Sequence, residues 1–233
     1  MHIPDGFLNA GASIGGAVVA VGGLSVSIRR TTQILEEKQA PLAGLVAAFI
    51  FAVQMLNFPV AAGTSGHLLG GVLAAVLVGP WAGAVCVAVV LIVQSLLFAD
   101  GGLTALGVNI VNMALIAVFC GYGIFLLLRR VVPRTHTGVT ISAGVAAMLS
   151  VVLAAVGFTI EYAIGGTGGA PVGTVAAAMA GVHLLIGIGE GVITAMTVGA
   201  VLAARPDLVY GTRDLIAPVE LRESTVTPTR SAP

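Results

Sequence analysis

Leu68 to Ala99 reads LLGGVLAAVLVGPWAGAVCVAVVLIVQSLLFA, a stretch without a charged residue and with one helix-breaking step, Gly79-Pro80. How this stretch is divided decides the fold. A helix that crosses a bilayer needs about 20 mostly apolar residues, with a working range of about 17–25. Division at Gly79-Pro80 gives a short segment, 68–79, about 18 Å long at a rise of 1.5 Å per residue, followed by a full span, 81–99. Fusion through Pro80 would give one kinked span instead. The charges choose between the two, because loops on the cytosolic side of a membrane collect Lys and Arg. With two helices, Arg29, Arg30, Lys38, Arg129, Arg130, Arg134, Arg205, Arg213, Arg222 and Arg230, which are all the basic residues of the chain, fall on one face. With one helix, Arg129, Arg130 and Arg134 are thrown to the side opposite Arg29 and Arg30. Two helices are therefore expected.

Outward from this stretch, further apolar runs cover 11–28, 42–58, 103–128, 138–164 and 174–204. Each is expected to be helical, since lipid offers no partner to unpaired backbone groups. With 58% apolar residues, 9% charged residues, 32 glycines and a mean hydropathy of +1.08, a soluble globule with an ordinary polar surface is excluded. The expectation is an all-α, polytopic membrane protein of seven transmembrane helices. It has an extracytoplasmic segment 1–10, a helical domain 11–204 surrounded by membrane lipid, and a cytosolic tail 205–233 that is disordered towards its Ser-, Thr- and Pro-rich end. Zero net charge argues against a nucleic-acid partner. Residues 1–10 carry no Lys or Arg, so the usual signal-peptide pattern is missing and Met1 is expected to be the mature terminus.

This topology has a chemical consequence. Residues 1–10 and the loop 59–67 lie on the outer face, while 29–41 lies inside, so Met1, His2 and His67 can meet. A free terminal amine, the backbone nitrogen of residue 2 and the imidazole of His2 can close two adjacent chelate rings on one metal ion, leaving a fourth position for the imidazole of His67. Such a planar nitrogen set suits Ni(II) and Cu(II), with Co(II) next. Pro4-Asp5-Gly6 supplies turn residues that can fold the terminus back, with Phe7 and Leu8 as apolar anchors. The loop Asn57 to His67 is too rich in Pro, Gly and small polar residues to face lipid, and should line a polar cavity or dip into protein. Thr64 and Ser65 are placed to orient the His67 ring. The plainer alternative is that His67 begins the next helix at the water interface.

Other polar residues inside the bundle are candidates for function, since ionisable groups there are costly unless paired or wet. His183 and Glu190 are seven apart and share one helix face, where they can support the site or a release path, or simply fix packing; about 10 Å of axial rise separates them, so no direct pair is expected. Gln94, Asn109 and Asn112 are expected to hydrogen-bond between helices, with Asn109 also a pathway candidate. Asp100 sits in a glycine-assisted turn, and no metal bond is expected from it or from Glu161, because carboxylates compete poorly with imidazole for a late transition metal. Cys86 and Cys120 stand apart and are expected to be buried fillers. His136 is expected to be solvated. Small residues repeat every four positions at Ala12, Gly16 and Ala20, at Gly15, Val19 and Gly23, and in Ala43-Ala47 and Gly44-Ala48, which permits close packing within the chain or against another subunit.

Several of these segments together carry a family resemblance. Met1-His2-Ile3-Pro4-Asp5-Gly6-Phe7-Leu8, GTSGHLLGG over Gly63 to Gly71, Gly79-Pro80-Trp81-Ala82-Gly83, Gln94 to Gly107, Asn109 to Met113 and HLLIGIGEG over His183 to Gly191 resemble the CbiM/NikM family. These are the cobalt- and nickel-specific membrane subunits of energy-coupling factor (ECF) transporters of bacteria and archaea, and the resemblance runs from residue 1 to about 204. It implies a substrate-binding fold of six helices plus an additional amino-terminal helix, with the ion held at Met1, His2 and His67. It also implies a small partner membrane subunit, a transmembrane coupling subunit and cytosolic ATPases; the chain has no P-loop and so no ATP chemistry of its own. Thr64-Ser65-Gly66-His67-Leu68 departs from the Ser-Cys-Ser-His-Pro loop of many cobalt-type members, so Ni(II) and Co(II) both stay open as cargo, for nickel enzymes or cobalamin biosynthesis. No resident cofactor and no catalytic residue is expected.

Two other classes compete. Gly63-Thr64-Ser65-Gly66 matches the GxSG pattern of rhomboid-like intramembrane serine proteases, with His183 as a possible base, but this leaves Met1-His2 unexplained. An uncoupled metal channel conflicts with tight chelation, because conduction requires that ions leave quickly.

Overall fold

The computed structural model describes residues 1–34, 39–59 and 65–215. Among these the apolar runs form seven helices: α1 (Ala10–Ile34), α2 (Ala40–Gln54), α3 (Gly71–Val78), α4 (Pro80–Leu97), α5 (Leu106–Val131), α6 (His136–Gly165) and α7 (Val172–Ala204). Their ends follow local rules. The Asn9 side chain accepts from the Ala12 N–H at 2.9 Å and caps α1, and Thr135 accepts from the Gly138 N–H at 3.0 Å and caps α6. Gly79, at φ +91°, ends α3 in a conformation closed to most residues, and Pro80 opens α4 at a position that needs no N–H. The chain does divide at Gly79-Pro80.

The boundaries differ from the apolar runs where the chain prepares a site. Helix α2 stops at Gln54, short of the expected 58, because the chain turns into a small antiparallel hairpin, β1 (Phe58–Pro59) on β2 (Ser65–Gly66), pairing Phe58 with Gly66. Helix α3 starts at Gly71 rather than 68, and residues 67–70 form a strap with no regular structure. Every residue of α3 is buried, and its eight residues reach only about 12 Å. Irregular backbone beside so short a helix is tolerated at membrane depth only where protein encloses it. The middle of α5, Val111–Cys120, is wound as a π-helix, which nothing in the sequence signals.

The helices run alternately between two ends of the bundle. At one end lie the amino-terminal segment, the turn 98–105 and the turn after α6, joined by a bridge between Leu8 and Gly166. At the other end Thr31, Ile34, Gly79, Trp81, Tyr210 and Arg213 surround one small cavity, Arg129 pairs with Asp214 at 3.0 Å, and Arg213 stacks on Tyr210. Lys38, Arg222 and Arg230 lie outside the described residues, as do 60–64 and the tail beyond 215.

Five helices are long and apolar enough to cross a membrane, α1, α4, α5, α6 and α7, and α2 is a shorter apolar helix. Helix α1 leaves Ile14, Val18 and Val21 about two-thirds exposed, an apolar surface that water would not tolerate. This is a multi-pass membrane protein. The most extensive helix pair is α6 with α7, where a Cβ added at Gly187 would come within 2.8 Å of the Met148 carbonyl. On α1, Gly16 and Gly23 abut Val108 and Leu115 of α5, whereas Gly15 and Gly22 face open space. The small-residue stripes thus serve internal packing on one side only. Cys86 is buried as expected, but Cys120 is exposed on the outer surface of α5 and is not a core filler.

Candidate metal centre

The amino terminus does not hang free. Gly6 adopts φ +76° in a turn after Pro4, and Phe7 packs against Phe158 and Tyr162 with ring centroids 5.7 and 5.3 Å away. Thr167 donates to the carbonyls of Phe7 (backbone N–H, 3.1 Å) and Gly6 (hydroxyl, 2.6 Å), and Thr104 donates to Asp5 through both its N–H and its hydroxyl. Asn109 of α5 grips Ile3 on both sides, accepting from its N–H at 2.8 Å and donating to its carbonyl at 3.2 Å, and the Gly102 N–H donates to the same carbonyl at 2.8 Å. An added Cβ on Gly102 would collide with the Asp5 backbone nitrogen, so this close approach requires glycine. The result is a terminus threaded into the bundle, with Met1 and Ile3 fully buried and His2 only 4% exposed.

The strap 67–70 meets it from the other side. Both carboxylate oxygens of Glu190 on α7 accept backbone N–H groups, from Leu69 and from Gly70, at 2.6 Å each, and the Gln54 amide on α2 donates to the Leu69 carbonyl at 2.7 Å. Gly70, at φ +74°, lies against Ile50, where a side chain would not fit. This fastening brings the fully buried His67 ring to 4.4 Å from the His2 ring, centroid to centroid, tilted by 30°.

Hydrogen bonding sets the tautomers. His67 Nδ1 is 2.7 Å from the Leu68 carbonyl, which can only accept, so Nδ1 carries the proton and Nε2 keeps its lone pair. His183 repeats the pattern, with Nδ1 2.8 Å from the Met179 carbonyl. Neither Nε2 has a hydrogen-bond partner among the described residues, and Gln94 lies beside the His2 ring. His2 Nδ1 is 2.9 Å from Asp100 Oδ1.

Burial shapes the electrostatics. It pushes the Met1 amine well below its ordinary pKa, against the pull of the Asp100 carboxylate. It lowers His2 in the same way, opposed by its bond to Asp100. Burial would raise Asp100, but the hydrogen bond and charge of His2 hold it below the usual carboxylate range. Each shift on nitrogen favours the unprotonated form, which is the form that binds metal. Among the described residues no three His, Cys, Asp or Glu side chains form a cage. The donors that converge are a chain terminus, its first peptide nitrogen and two imidazoles.

Met1, His2 and His67 are thus together. His183 is close enough to feel the amine electrostatically, whereas Glu190 faces the strap and not His183. Asn109 does not bond between helices as expected but holds Ile3; Asn112 does bond across, to Glu161 at 2.5 Å. Thr64 lies outside the described residues, as does the Ser65 side chain. Gln94, expected to bond between helices, lies beside His2 instead; Gln54 carries no expected role, and Asp100 is expected only in a turn, with no metal bond. The one signal for Asp100 was an acidic residue beside two glycines, on the same predicted face as His2.

Fold and donor set define a class: a multi-pass membrane protein with nitrogen donors buried beside its own terminus. The family described as the cobalt uptake substrate-specific transmembrane region matches residues 2–208, and the chain belongs to that family. It is 43% identical over 211 residues to a putative fused nickel transport protein NikMN of Archaeoglobus fulgidus, covering 90% of this chain and 68% of that one. It is 33% identical to the cobalt transport protein CbiM of Geobacter sulfurreducens, covering 90% of this chain and 61% of the relative. A crystal structure of a truncated transition metal transporter superposes with a TM-score of 0.82 at 31% identity, covering 88% of this chain and 99% of that one.

Proposed function

We propose that this chain is the substrate-binding subunit of an ATP-driven ECF transporter that imports Ni(II) or Co(II). The ligands are the Met1 amine, the His2 backbone nitrogen, the His2 imidazole and His67 Nε2. The amine and the His2 backbone nitrogen close a five-membered ring on the ion, and that nitrogen with His2 Nδ1 closes a six-membered one, so the first two residues supply three ligands in a plane. The observation that carries this reading is the buried pair of imidazoles, 4.4 Å apart beside a buried amine, with the His67 Nε2 lone pair uncommitted.

The end that gathers Arg129 and Arg213 is the cytosolic one by the positive-inside rule, which puts the amino terminus outside and the carboxyl terminus inside. All seven helices belong to the membrane domain, α3 as a half-span completed by the strap above it. A small partner membrane subunit, a coupling subunit and cytosolic ATPases supply the remaining functions. Relatives that are metal transport proteins leave the protease reading without support.

The test is metal content and competition among Ni(II), Co(II) and Cu(II), measured on purified protein with and without residues added ahead of Met1. One added residue turns the amine into a peptide nitrogen, and affinity falls by at least about a hundredfold. Unchanged affinity overturns the site.

A further inference from the structure

The chelating nitrogens are sealed: Met1 and His67 are fully buried and His2 is 4% exposed. An ion arriving from water has to meet something else first. Among the described residues, Asp100 is in contact with the set and also reaches the surface, its side chain 16% exposed. Its two oxygens face opposite ways, Oδ1 lying 2.9 Å from His2 Nδ1 and Oδ2 accepting from the Asn57 amide at 3.0 Å. Asn57 is itself exposed, just beyond the end of α2. The turn that carries Asp100 is rigid: its N–H donates to the Gln94 carbonyl at 3.1 Å, between Ala99 at φ +51° and Gly101 at φ +89°.

His2 Nδ1 is the atom that has to close the second chelate ring, and it is the atom Asp100 faces. Metal and carboxylate therefore compete for one nitrogen. We propose that Asp100 is the receiving ligand for the divalent cation, and that the chain Asn57, Asp100, His2 is a latch across the way in. The carboxylate exchanges for water on the hydrated ion, a step that hard oxygen ligands perform readily; His2 Nδ1 then passes the proton it shares with Oδ1 to the carboxylate as that oxygen leaves the metal, and the freed lone pair takes the ion. Asn57 holds the carboxylate back from that exchange.

The proposal rests on Met1, His2 and His67 as the chelating set, and its test separates the two. Stopped-flow association of Ni(II) with the purified full chain is followed at several ionic strengths, alongside equilibrium affinity. Asp100→Asn keeps the size of the side chain and removes its charge, so the association rate falls at least about tenfold and loses most of its dependence on salt. Asn57→Ala, at an exposed position, releases the latch and speeds both association and dissociation. An unchanged association rate in Asp100→Asn, or a slower one with its salt dependence intact, overturns the proposal. Slower association in Asn57→Ala overturns the latch. His67→Ala abolishes tight binding whatever these variants do, and if it does not, the chelating set itself is wrong.

Discussion

Two extended segments carry the proposed ligands Met1, His2 and His67, and they are fastened in opposite ways. Residues 1–8 are held by many bonds spread along the rim: Asn109 and Gly102 on Ile3, Thr104 on Asp5, Thr167 on Gly6 and Phe7, and an aromatic seat for Phe7. The strap 67–70 hangs at depth on Glu190 and Gln54. An exposed rim bond such as those from the Thr104 and Thr167 hydroxyls contributes a net of about 0.5–1.5 kcal/mol, and water can replace it. A buried carboxylate facing two backbone N–H groups cannot be removed without stranding both. The His2 side of the site is therefore spread over many contacts, and the His67 side hangs on two residues, Glu190 of α7 and Gln54 of α2.

The largest effect should come from Glu190→Ala. Two buried N–H groups lose their acceptors at about 1–3 kcal/mol each, so a denaturation midpoint in detergent should reveal a loss of about 2–6 kcal/mol, with metal affinity down by more than about a hundredfold. Glu190→Gln restores part of both, because its amide oxygen accepts one N–H while its amide nitrogen faces the other donor. Wild-type stability and affinity in Glu190→Ala would mean that the strap is held by something else.

Asn109→Ala should come next. The Ile3 carbonyl keeps the Gly102 N–H at 2.8 Å, so only the Ile3 N–H is stranded. Calorimetric titration should give metal affinity lowered about tenfold, in the range for residues that orient a ligand from behind, and the one stranded N–H should cost about 1–3 kcal/mol of stability, about half the loss in Glu190→Ala. A loss as large as that of Glu190→Ala would abolish the contrast between the two segments.

The contrast also marks what could be read in the chain. The helices were legible from apolar runs, and the Gly79-Pro80 division from the placement of the arginines, because both signals are local or topological. That Met1, His2 and His67 face one another was legible for the same reason, since it needs only the side of the membrane on which each loop falls. Glu190 was visible as a buried carboxylate, but its partners are backbone groups 120 and 121 residues away, and backbone donors carry no sequence signature. Asn109 was misassigned to interhelical bonding for that same reason. The strap is indistinguishable in sequence from a first turn of α3, because Leu68 and Leu69 are as apolar as the helix that follows. The Asp100 position depends on ring orientation at His2, which no spacing rule encodes.

The smallest effect tests the distributed fastening most directly. Thr104→Val removes the hydroxyl that donates to Asp5 at 2.6 Å, but the Thr104 backbone N–H still donates to the same oxygen at 2.8 Å, and the position is exposed. Stability should stay within about 0.5 kcal/mol of wild type and metal affinity within about twofold. Thr167→Val removes a second rim hydroxyl, on Gly6, and leaves its own backbone bond to Phe7. If the rim bonds act independently, the free-energy changes of the double variant should equal the sum of the two single changes. A double variant that loses far more than that sum would show that the terminus is held cooperatively, as a single clasp, and would make the His2 side as fragile as the His67 side.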